Sequence, residues 1–79
     1  MNAFQKLLDF LARLDAAKIH YTLGHFRDET IAVEIAVPGA RWEVEFFADG
    51  AVEVEVFTAG RGGLEGEDAL GRLFAMHGA

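Results

Sequence analysis

The chain contains no cysteine, no serine, a single proline, and no apolar run near the roughly 20 residues that a membrane span requires. Without cysteine there are no disulfides, no thiolate metal ligands and no thiol nucleophile, a composition that fits a reducing cytoplasm. Without serine the commonest hydroxyl nucleophile is gone as well, and the remaining hydroxyls are Thr22, Thr30, Thr58 and Tyr21. The opening stretch, Met1-Asn2-Ala3-Phe4-Gln5-Lys6, leads into charged amphipathic sequence rather than an apolar signal region. Positive charge is also scarce. Seven Lys and Arg stand against thirteen Asp and Glu, a net charge of −6. That balance argues against nucleic-acid phosphates and anionic lipid surfaces as partners, and is compatible with a basic protein.

What the chain does have is apolar residues, 52% of its 79 positions, enough for one domain spanning 1–79 with a real core. Their spacing predicts the elements. Asn2 can cap a helix running to about Ala17, with Phe4, Leu7, Leu8, Leu11 and Leu14 as its inward stripe. The period then changes to alternation. Ile19, Tyr21 and Leu23 suggest a weakly patterned strand, and Ile31, Val33, Ile35 and Val37 a stronger one. Pro38-Gly39 signals a turn before a third strand from Arg41, and a fourth runs from about Ala51 to near Thr58. The glycine-rich segment 59–66 reads as a flexible connection. A second helix, from about Glu67 to His77, turns Leu70, Leu73 and Phe74 inward, and Gly71 would permit a close approach of the two helices.

The order α-β-β-β-β-α with short connections predicts an α+β, two-layer sandwich: an antiparallel four-stranded meander with both helices on one face. The opposite face stays open, and it is acidic. In Trp42-Glu43-Val44-Glu45-Phe46 and Val52-Glu53-Val54-Glu55-Val56, glutamate alternates with core residues. A three-residue loop of Ala48, Asp49 and Gly50, with Gly50 left-handed, sets Glu45 opposite Glu53 and Glu43 opposite Glu55, like charges about 5 Å apart at Cβ. A turn at Pro38-Gly39 pairs Glu34 with Glu43 and Ile35 with Trp42, and a loop at Arg27-Asp28-Glu29 pairs Thr22 with Glu34. The candidate binding surface is therefore Glu34, Glu43, Glu45, Glu53 and Glu55, with Phe47 and Phe57 beside them. The opposed carboxylates should titrate with raised pKa values.

The other chemical signals are weak. The glutamates lie on strands without the loop ligands of a calcium motif, so no metal is expected. His20 is expected exposed, with His25 and His77 at core edges, and none shows zinc-ligand spacing. Gly60-Arg61-Gly62-Gly63 lacks the Lys-Ser/Thr of a phosphate loop, and no cofactor is expected.

Tyr21-Thr22-Leu23 through Phe26-Arg27-Asp28, and above all Val37-Pro38-Gly39-Ala40-Arg41-Trp42-Glu43-Val44-Glu45-Phe46, resembles a family of small uncharacterised bacterial proteins. The resemblance covers about the middle half of the chain and implies no activity or residue roles. Size and acidity together resemble those of small immunity proteins that neutralise basic toxins, a likeness of character alone. The leading expectation is a non-enzymatic binding module, of inhibitor or immunity type, using the glutamate face on a basic partner. The alternative is a structural homo-oligomer built on the aromatic residues of that face or on a strand edge. A third reading is a small enzyme, favoured by a pocket holding His20 or His25 beside a glutamate.

Overall fold

A computed structural model describes residues 2–78. Helix α1 (Ala3–Ala16) is followed by β1 (Tyr21–Gly24), β2 (Thr30–Val37), β3 (Ala40–Phe47), β4 (Val52–Thr58) and β5 (Arg61–Glu65), then a 3-10 turn (Glu67–Ala69) that runs into α2 (Leu70–His77). The strands form one antiparallel sheet in chain order, an α+β meander of five strands where four were expected. The expected registers hold across the middle: Thr22 faces Glu34, Ile35 faces Trp42, Glu34 faces Glu43, Glu43 faces Glu55, and Glu45 faces Glu53.

The turns explain why. Gly50 takes φ +94°, its N–H donates to the Phe47 carbonyl at 2.9 Å, and Phe47 N–H closes the loop on Ala51 at 2.9 Å. This is the bulged three-residue hairpin that keeps Phe46 opposite Val52. The fifth strand has the opposite origin. Ala59 and Gly60 both have positive φ, 48° and 79°, as a two-residue hairpin matched to strand twist demands. The glycine-rich segment, expected as a flexible connection, instead folds back on β4 and sets Gly62 opposite Phe57. A Cβ at Gly62 would come within 2.9 Å of the Phe57 ring, so the missing side chain lets that ring lie across the edge strand.

Both helices pack on the face carrying Val33, Ile35, Trp42, Val44, Phe46 and Val54. The inward side of α1 is Leu7, Phe10 and Leu14, while Phe4 is 67% and Leu8 42% exposed. The expected stripe was rotated because it omitted Phe10. That ring meets Phe46 at 5.3 Å and Phe74 edge-on at 5.9 Å, and so joins sheet and both helices. Arg13 lies 3.9 Å over the Phe74 ring, a second link between helices. Gly71 is exposed with open space around its Cα, so the helices do not approach through it.

Helix α1 begins where Asn2 accepts the Gln5 N–H at 2.7 Å. It ends in a Schellman pattern: Ile19 N–H reaches the Leu14 carbonyl at 2.9 Å, and Lys18 N–H reaches Asp15 at 3.1 Å. Buried Leu14 and Ile19 flank the turn. The cost falls on Lys18, which sits at φ 60° where glycine is usual. Lys18→Gly should therefore raise stability by about 0.5–1 kcal/mol in urea denaturation, the relief of a left-handed non-glycine residue less glycine's added chain entropy.

Candidate functional site

The open face carries all five predicted glutamates on neighbouring strands, but they are not equivalent. Arg27 donates to Glu45 through Nη2 at 2.6 Å and through Nε at 3.2 Å, and its Nη2 stands 3.8 Å from Glu53. Thr30, buried at the start of β2, adds a hydroxyl hydrogen bond to Glu45 at 2.9 Å. Arg41 stands 3.8 Å from Glu34. Glu43 and Glu55 face each other between these pairs, and no salt bridge reaches either among the described residues. Two guanidiniums against five carboxylates leave the face negative, with the excess centred on Glu43 and Glu55.

The titration follows the geometry. Partial burial pushes the Glu43 carboxyl up, and the charges of Glu34, Glu55 and Glu45 push it further, against a smaller opposing pull from Arg41. Glu45 goes the other way. The hydrogen bonds from Arg27 hold it below the usual carboxylate range, with help from Thr30 and against the effect of burial. The expectation that Glu45 would titrate high is thus overturned by a cation that the strand pattern did not place there.

Arg27 belongs to the connection between β1 and β2, which spans 25–29 and folds back over the sheet. Phe26 lies over Gly24, where a Cβ would approach its ring to 2.4 Å. Ala32, paired with Gly24, is fully buried even though it points to the open face. One corner of that face is therefore covered. His25, expected at a core edge, is exposed in this connection, as is His20 before β1, whereas His77 is half-buried. Phe47 and Phe57 are half-buried under guanidiniums, Arg27 at 5.0 Å and Arg41 at 4.6 Å from the ring centres. The more accessible apolar groups on this side are Phe26 and Leu64, the latter paired with Glu55 on β5 and 72% exposed. Sequence reasoning missed Arg27 and Leu64. A face of opposed glutamates called for a counter-ion, and the loop basic residue was the one to suspect.

At the end of the sandwich, between the start of α1 and the 25–29 connection, lies an open cavity of about 460 Å³. Leu7, Ile31 and Phe46 contribute apolar wall, and Phe47 joins it to the glutamate face. His25, Asp28 and Glu29 also line it, the combination that would favour an enzyme. All three are exposed, however, so the wall they form is open to water rather than a closed pocket around His25. Among the described residues no group of three His, Asp or Glu could hold a metal ion, and no helix is long and apolar enough to cross a membrane. No family model, curated protein or solved structure matches the chain.

Proposed function

We propose that the protein is a non-enzymatic binding module, of inhibitor or immunity type, that engages a basic partner through the open sheet face. The observation that carries this reading is the Glu43–Glu55 pair: two carboxylates face each other across β3 and β4 without a cation, while Glu45 beside them has one. A Lys or Arg brought to that point would relieve repulsion already present in the free protein. Leu64, next to Glu55, offers an apolar contact beside the charge. The cysteine-free composition suits action in the cytoplasm.

The test is capture from source-cell extract at low salt, with the parent and with Glu43→Gln/Glu55→Gln immobilised side by side. A basic protein should be retained by the parent, released by salt, and largely lost from the variant. A partner held equally by both surfaces would remove this face from the account.

A further inference from the structure

We propose that the cavity at the end of the sandwich is a binding site for a small amphipathic amine, an aromatic or aliphatic body that carries one ammonium group. Its volume of about 460 Å³ falls within the roughly 300–1,000 Å³ of small-molecule sites. The apolar wall comes from three elements. Leu7 reaches it from α1, Ile31 from β2 and Phe46 from β3. Leu7 and Phe46 belong to the core at 9% and 7% exposure, so the packing that holds α1 on the sheet also fixes this wall. A ligand lying on it meets a preformed surface, with little side-chain ordering left to oppose binding.

The mouth decides the ligand's charge. Asp28 and Glu29 line it, both exposed, and among the described residues no salt bridge reaches either. The cations on the neighbouring elements are engaged elsewhere. Arg27, next to Asp28 in the chain, is held on Glu45 at 2.6 Å and feels Glu29 only as a longer-range charge. Lys6 on α1 donates to the Gly50 carbonyl at 3.0 Å and to Glu67 at 3.3 Å. Of the other polar groups at the cavity, Asn2 is taken up in capping α1 and the Thr30 hydroxyl in binding Glu45. Two carboxylates without an ion pair, beside an apolar wall and on a chain of net charge −6, attract a cation and repel an anion.

A small molecule suits this mouth better than a peptide strand. The main chain around it is already paired: Ala48 N–H donates to the Glu29 carbonyl at 2.9 Å, Thr30 N–H to Arg27 at 3.3 Å, and Phe47 N–H to Ala51 at 2.9 Å. Those bonds take up the donors at which an extended peptide would add a strand. What remains is an apolar wall for a body and two carboxylates for an ammonium group, the division a small amine matches. Ion pairs at exposed carboxylates are weak, so a simple probe should bind with a Kd of about 1 mM. The site is independent of the Glu43–Glu55 pair, and its failure would leave the reading of that face untouched.

The test titrates 2-phenylethylamine into the ¹⁵N-labelled protein, with phenylacetate and ethylamine as matched probes at the same pH and salt. The amine should saturate with a Kd of about 1 mM and shift the amides of residues 28–31 and 46–48. Its ring protons should show nuclear Overhauser contacts to the Leu7 and Ile31 methyl groups. Phenylacetate, the same ring with the opposite charge, should bind at least about tenfold more weakly, and ethylamine, which lacks the ring, should not saturate below about 20 mM. Asp28→Asn/Glu29→Gln, at exposed positions, should fold as the parent does, weaken the amine about five- to tenfold and lose the discrimination against phenylacetate. Equal binding of amine and phenylacetate by the parent, unaltered amine binding by the variant, shifts centred on residues 43 and 55 instead, or no saturable binding by about 20 mM would each overturn the proposal.

Discussion

Trp42→Ala should cost about 3–5 kcal/mol in chemical denaturation, a large share of the stability of a domain this small. Trp42 is 2% exposed at the centre of the helix-facing layer, opposite Ile35 on β2 and Val56 on β4. Its ring also supports Arg72, whose guanidinium lies 5.5 Å above it and reaches on to Glu65. Removing the indole therefore opens a cavity and loosens the link between α2 and β5. Trp42→Phe should cost much less. It keeps most of the apolar volume and removes an indole N–H that is buried without a hydrogen-bond partner among the described residues. Far-UV circular dichroism should follow the transition, since the mutation deletes the only tryptophan. An alanine variant that melts within about 2 °C of the parent would contradict the facing of the whole sheet.

Two glutamates two residues apart on one strand face should respond to the same substitution with opposite signs. Glu43 has its folded pKa raised, chiefly by burial and then by its acidic neighbours. A raised value contributes stability below the unfolded pKa of about 4.3, and that contribution is lost as pH rises through the folded value. Glu43→Gln should therefore stabilise the protein at pH 7 relative to the parent, with the gain shrinking toward pH 4. Glu45 has its folded pKa lowered by Arg27, so its contribution is present above about pH 4.3 and lost as pH falls through the folded value. Glu45→Gln should lower Tm at pH 7 by about 4–8 °C at most, the scale of 1 kcal/mol in a domain of this size, reduced by the water around the half-exposed Arg27. Thermal melts of the three proteins between pH 4 and 7 decide it. A loss of stability in both variants at pH 7 would mean that a cation holds Glu43 as well.

The sheet's centre was legible because its strands alternate strictly, and a one-residue slip would have turned Trp42, Val44 and Val54 to water. Pro38-Gly39 and Asp49-Gly50 then left little choice of register. β5 was not legible. Gly62 and Gly63 carry no alternation, and its turn uses Ala59 at positive φ, where asparagine or glycine is the usual signal. The rotation of α1 depended on Phe10 finding Phe46 and Phe74, partners from distant parts of the chain. The same is true of the candidate site. Strand spacing placed all five glutamates on one face, but the reach of Arg27 back over β3 comes from an irregular loop, and no periodicity encodes that. The register groups the glutamates as the strand spacing implies, and Arg27 makes their face less negative than that spacing alone suggests.

The docking point proposed for a basic partner is the Glu43–Glu55 pair. The most direct measurement is the association rate of a captured partner with the parent and with Glu43→Gln/Glu55→Gln, taken by stopped flow across a range of salt. The parent should associate faster at low salt and slow steeply as salt rises, while the variant should be slower at low salt with a flatter dependence. Identical rates and identical salt slopes for the two proteins would contradict the claim.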